Sequence, residues 1–133
     1  MEERQGSCLC GQIKFRVRGK IRGVGACHCS KCRKVSGTNG NAVFLVPAED
    51  FQWLSAKPDI AQFAFTNGWG TDRCGRCGSP LPASHDGKQF WVPAGLMDDP
   101  LDTNIKQHIF CASRADWDQE AENARHFAEF PSG

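Results

Sequence analysis

The clearest regularity in the chain is the period-two alternation in GQIKFRVRG. There Ile13, Phe15 and Val17 point one way and Lys14, Arg16 and Arg18 the other, which predicts a strand with one wet face. NAVFLVP, residues 41–47, is instead a continuous β-branched and aromatic run, which predicts a more buried strand. FQWL, AQFAF, QFWVPAG and KQHIFCASR supply further short strand candidates. Helix is scarce. One turn is expected from Cys29 through Val35, and DQEAENARHFAEF near the C-terminus sets Ala121, Ala124, Phe127 and Ala128 at helical spacing. The 14 glycines and 7 prolines are scattered, as suits short strands joined by many turns. No internal repeat, low-complexity tract or long linker interrupts the pattern. The expectation is a mainly β fold.

A length of 133 residues fits one domain, spanning 1–133, that can bury a core without covalent staples. With 40% apolar and 23% charged residues, the chain is not a disordered type. No apolar run approaches the roughly 20 residues that span a bilayer, so no membrane partner is expected. The first residues, MEERQGS, are polar and lack the apolar stretch of a secretory signal, which points to the cytoplasm, where thiols stay reduced. That weakens the case for a disulfide framework, although eight cysteines is an even number. The formal charge of +1 argues against nucleic acid as a partner, since such domains are usually clearly basic. Lys31, Arg33, Lys34, Arg73 and Arg76 sit beside cysteines instead of forming a stripe, and are read as solvated or as offsetting negative metal–thiolate centres.

The cysteines carry the candidate chemistry. Cys8 and Cys10 lie in SCLCG, Cys27, Cys29 and Cys32 in ACHCSKC, Cys74 and Cys77 in RCGRCGS, and Cys111 stands alone. A C-x-x-C pair followed by glycine has the shape of a zinc knuckle, in which a tight turn aims two sulfurs at one ion and Gly78 takes the positive φ. The C-x-C of SCLCG is shorter and less common but also ends in glycine; two pairs from distant parts of the chain make four thiolates, a closed tetrahedral site, so Cys8, Cys10, Cys74 and Cys77 read as structural metal ligands. Zinc is favoured there, with iron as the rival. Cys27, Cys29 and Cys32 are left for a second ion. Three protein ligands and one open position is the arrangement of catalytic zinc. Closure by Cys111 or by a histidine is the competing reading, and a lone cysteine in an alternating strand is more often a small buried residue. His28 is expected to face solvent or to be hydrogen-bonded; His85, His108 and His126 show no ligand-like spacing.

GSCLCGQIKF, ACHCSKCRKVSGT, CGRCGSPL, VPAGLMDDP and HIFCASRADW follow one another in the order found in the glutathione-dependent formaldehyde-activating enzyme family, which includes the centromere-protein-V-like domains. The chain resembles that family over residues 6 to about 117, leaving a tail at 118–133. The resemblance implies an Mss4-like fold of small antiparallel sheets built around zinc, with few short helices and two zinc ions per chain. It assigns Cys8, Cys10, Cys74 and Cys77 to a structural ion, and Cys27, Cys29 and Cys32 to the catalytic one. The implied reaction is the condensation of glutathione with formaldehyde to S-(hydroxymethyl)glutathione, a carbon–sulfur lyase chemistry, with another thiol and aldehyde as the variant. Two departures stand out. Arg73 occupies a position that is usually aromatic, and the tail DQEAENARHFAEFP replaces a short glycine- and proline-rich loop.

Several residues have more than one reading. Lys31, Arg33 and Lys34 would meet substrate carboxylates or remain solvated. Ser36 and Thr38 would donate to substrate or cap the turn after Cys32. Asp98 and Asp99 read as turn residues. Trp53, Trp69, Trp91 and Trp117 default to the core, with a pocket or an interface as the alternative. The other class of function is a non-catalytic binding module in which both metals are structural.

Overall fold

The computed structural model describes residues 2–56, 59–65, 67 and 69–131. Among the described residues, three small sheets, one α-helix and three short 3-10 turns make up the regular structure, a mainly β architecture consistent with an Mss4-like fold. Strands β1 (Glu3–Ser7), β2 (Lys14–Arg18) and β5 (Phe51–Trp53) form an antiparallel sheet in the order β1-β2-β5. Strands β3 (Val24–Cys27), β4 (Asn41–Pro47), β8 (Gln89–Pro93) and β9 (Ile105–Ile109) form the second, ordered β8-β4-β3-β9. Its β3–β9 pairing is parallel, the one departure from antiparallel pairing among these strands. Strands β6 (Ile60–Ala64) and β7 (Gly70–Cys74) form a separate hairpin, and helix α1 covers Ser30–Ser36.

The alternation in β2 is realised as expected. Ile13, Phe15 and Val17 are buried, and Phe15 and Val17 join Ile21, Phe44, Val46 and Val92 in the main core. Phe15 stacks on Phe51 at 5.5 Å between ring centroids and meets Trp53 edge-on at 6.2 Å, so β5 closes the core with aromatic area. A second cluster joins Cys8, Ile13, Cys74 and Leu81, and so builds the wall of the first cysteine group.

Three expectations are corrected. NAVFLVP is a strand, but only Phe44 and Val46 are buried; Leu45 and its register partner Trp91 are half exposed, because the sheet covers one face only. The helix expected in DQEAENARHFAEF does not form. Residues 118–131 make turns and irregular chain, and Phe127 remains exposed, with no apolar surface to pay back helix formation. Trp117 and Trp91 are exposed as well, while Trp53 packs against the core.

β1 is held by polar means. Its inward residue Arg4 is buried and donates to Pro100 O (2.8 Å), Gly19 O (3.2 Å), Glu2 Oε2 (2.7 Å) and Asp102 Oδ2 (3.2 Å). Asp98 and Asp99 accept from Ser7 Oγ (2.8 Å) and Gln5 N–H (2.7 Å). They tie the loop after β8 to β1, consistent with their reading as turn residues.

Candidate metal centres

The first group forms where the end of β1 meets the end of β7. Cys8 and Cys10 lie in the tight turn after β1, where Gly11 N–H donates to Cys8 O at 2.9 Å. Cys74 closes β7, and the chain turns through Cys77 to Gly78, whose φ of 79° lets its N–H reach Cys74 O at 2.8 Å. The four sulfurs of Cys8, Cys10, Cys74 and Cys77 all lie within 4.8 Å of one another. Cys8 and Cys10 are 3.6 Å apart, and Cys10 and Cys74 are 3.8 Å apart. A tetrahedral ion with metal–sulfur bonds of about 2.3 Å has sulfur–sulfur edges of about 3.8 Å, so the residues fit a tetrathiolate metal.

The surroundings favour ionised sulfur at Cys8 and Cys77, whereas the Cys10 thiol is pushed up to about 11 among its neighbouring sulfurs. Ile13 N–H donates to Cys8 Sγ at 3.3 Å. Ser79 Oγ accepts from Leu9 N–H at 2.9 Å and from the Cys77 thiol at 3.4 Å; once that thiol ionises, the Ser79 hydroxyl donates to it instead. The hydrogen bonds from Ser79, side chain first and backbone second, bring the Cys77 thiol down to about 5.

The second group is built by the junction of β3 and α1. Cys27 is the last residue of β3, Cys29 is the N-cap of α1 in extended conformation, and Cys32 lies in the first turn. Cys32 N–H donates to Cys29 Sγ at 3.4 Å, so a candidate ligand sulfur also caps the helix. The helix stops at Gly37 in the left-handed conformation. The three sulfurs lie within 4.8 Å of one another, and among the described residues no further Cys, His, Asp or Glu ligand atom joins them. Burial, then the neighbouring sulfurs of Cys27 and Cys29, push the Cys32 thiol far above its ordinary value. Three anionic sulfurs at this spacing require a cation between them, and the donor set fits zinc or another thiophilic ion.

Cys111 stands apart from both groups. It is exposed in a short 3-10 turn, Cys111–Ser113, after β9, and so is neither a closing ligand nor the small buried residue expected of it. His28 is buried and hydrogen-bonded. Its Nε2 is 2.8 Å from Nδ1 of His108, a partner 80 residues away that no local spacing reveals. Both line a cleft of about 450 Å³ with Ala26, Asn41, Ala42 and Leu96, and among the described residues no lysine or arginine lines it. Lys31 instead sets Nζ 5.0 Å above the Phe65 ring. Ser36 and Thr38 serve the turn after the helix: their hydroxyls are 2.8 Å apart and donate to Gly40 O at 2.7 and 2.9 Å.

Small β sheets framing two thiol clusters define a thiolate-rich metal-binding protein. Residues 3–113 match the glutathione-dependent formaldehyde-activating enzyme family, and the chain belongs to it. A crystal structure of a Rhodobacter sphaeroides protein, a structural genomics target, is similar in fold. The TM-score is 0.59 at 17% identity, over 76% of this chain and 98% of that one. No curated protein matches the sequence.

Proposed function

We propose that this chain is a single zinc-binding domain that catalyses carbon–sulfur bond formation between a thiol and an aldehyde, with glutathione and formaldehyde as the default pair. The observation that carries the reading is the Cys27–Cys29–Cys32 cluster, which draws no fourth Cys, His, Asp or Glu ligand from the described residues. Family membership supports this choice of reaction class. Zinc, when bound, supplies a cation that favours thiolate over thiol at neutral pH.

The chain's own residues do the rest. Cys27, Cys29 and Cys32 give three ligand sulfurs from one short segment, so the site can hold an ion and still admit a substrate sulfur. The Cys32 N–H on Cys29 Sγ offsets part of their negative charge. In the reaction, the substrate thiol gives up its S–H proton and its sulfur bonds to the carbonyl carbon. The carbonyl π pair moves to oxygen, which takes a proton, and the product is a hydroxyalkyl thioether. Holding both reactants together contributes part of the rate. Cys8, Cys10, Cys74 and Cys77 hold the second zinc as a structural tie between β1 and β7.

The reading is tested by mixing zinc-loaded protein with thiol–aldehyde pairs and following adduct formation by NMR. Turnover faster than the spontaneous reaction, lost on Cys29→Ser, supports it; rates equal to the buffer control for every pair refute it. A non-catalytic binding module is the second reading, favoured by the exposed Leu45–Trp91 pair on the outer sheet face. That module would show two ions of equal lability.

A further inference from the structure

We propose that Asp118 is a positioning residue for the Cys27–Cys29–Cys32 centre, acting through the His28–His108 pair. The inference rests on reading that trio as a metal centre. Asp118 lies beyond residues 3–113, so this anchor comes from a part of the chain outside the family match.

His28 is bonded in sequence to Cys27 on one side and Cys29 on the other, and is only 3% exposed. Whatever fixes His28 therefore fixes two of the three sulfurs. Its backbone N–H donates to Ile109 O at 3.0 Å, across the parallel pairing of β3 with β9. Gly40 packs against the same stretch; a Cβ there would sit 2.8 Å from Cys27 O and 3.2 Å from His28 Nδ1, so only glycine allows the approach.

The ring is held at both nitrogens. Nδ1 is 3.1 Å from Asn39 O and 3.6 Å from Asp118 Oδ2. Asp118 in turn accepts from Asn39 Nδ2 and from Arg114 Nε, each at 3.3 Å, and these two hydrogen bonds hold its carboxyl below the usual range. A carbonyl and a carboxylate can only accept, so Nδ1 of His28 carries the hydrogen. In the neutral ring Nε2 is then an acceptor, and the contact at 2.8 Å requires Nδ1–H of His108 to donate to it. The Asn39 carbonyl, whose own side-chain amide is held by the Asp118 carboxylate, thus sets the tautomer of both neutral rings, which stack with centroids 5.1 Å apart. A centre with three chain ligands lacks the fourth covalent tie of a closed site. Its geometry depends more on such outer contacts, whose loss typically costs about 10- to 100-fold in metal affinity.

The test is zinc release from the full-length, fully loaded chain to a colorimetric chelator. Two phases are expected, the faster from the three-sulfur centre. Asp118→Ala should accelerate the faster phase about tenfold and leave the slower one unchanged, with Asp118→Glu close to the native rate. Histidine 15N spectra should show His28 and His108 both protonated at Nδ1 in the native chain and a tautomer mixture in Asp118→Ala. If that variant does not fold, His108→Phe removes the other end of the chain of contacts and should show the same selective acceleration. Unchanged release, or equal acceleration of both phases, overturns the proposal. Neither readout needs turnover. A chain inactive with every thiol–aldehyde pair but showing selective release would refute the enzyme reading and leave this inference standing.

Discussion

The Arg73 guanidinium ties the two cysteine groups together: Nη2 donates to the carbonyl oxygen of Val35 near the end of α1, and Nη1 donates to Gly78 O at 2.9 Å. Arg73 precedes Cys74, and α1 carries Cys32, so one side chain spans from the knuckle to the helix of the trio. A phenylalanine at this position could make neither bond. Replacing Arg73 with leucine leaves the Val35 and Gly78 carbonyls without this donor. Hydrogen bonds from a charged group are worth about 2 kcal/mol, so the unfolding free energy of the zinc-loaded protein should fall by an amount of that order, and its denaturation midpoint with it. Equilibrium urea unfolding measures it. An unchanged midpoint would mean that the contact adds nothing to stability.

Ser79 sets the acid limit of the four-sulfur centre. Its hydroxyl stabilises the Cys77 thiolate, bringing the thiol from an ordinary value of 9.0 down to about 5. A folded-state pKa depressed in this way contributes stability that is complete above the ordinary thiol value and is lost as pH falls through about 5. Ser79→Ala raises the thiol pKa, so protons compete with metal at higher pH. Metal release from this centre during acid titration should therefore begin at higher pH in the variant. A release curve that does not move, or moves to lower pH, contradicts this role for Ser79.

Cys29 and Cys77 should respond differently to the same chemical change. Cys77→Ser breaks a four-sulfur site whose metal binding is folding free energy on the order of 10 kcal/mol, so the variant should lose its native circular dichroism spectrum. Cys29→Ser removes a sulfur from the trio but keeps a side chain that caps helices well, so fold is retained and thiol-dependent activity is lost. Equal loss of structure in the two variants would make both centres structural.

Phe15 is fully buried between the two core-facing sheets and stacks on Phe51. Phe15→Ala should destabilise the zinc-loaded protein by about 4 kcal/mol, read from the shift in urea midpoint. A loss below about 1 kcal/mol would place the core elsewhere.

Strands whose inward positions are apolar were legible in the sequence: β2 from Phe15 and Val17, β8 from Val92, β4 from Phe44 and Val46. The missed strands lack a run of large apolar residues at their inward positions. The inward residues of β1 are Arg4 and Gly6, β3 alternates Val24 and Ala26 with Gly25 and Cys27, and β7 reads GTDRC. Their places come from pairing and from polar contacts with distant loops, which no local period records. The turn expected from Cys29 through Val35 is helix α1, which Cys29 and Gly37 bound at its cap positions. The tail misled because Ala121, Ala124 and Ala128 give helical spacing with little area to bury, while Asp118 is drawn to Asn39, Arg114 and His28. The sulfurs gather in fours and threes as their spacing grouped them. The His28–His108 contact escaped notice because its residues share no motif and meet only through the parallel pairing of β3 with β9.

The account turns on how many sulfurs surround each ion before and after substrate arrives. Zinc X-ray absorption on the two-zinc protein in thiol-free buffer measures that number directly. Four sulfurs at one ion and three with a light atom at the other predict an average of about 3.5, rising to about 4 when glutathione is added. An average of about 4 sulfurs from the start, unmoved by glutathione, would mean that both ions are closed by the protein itself, and would contradict the enzyme reading.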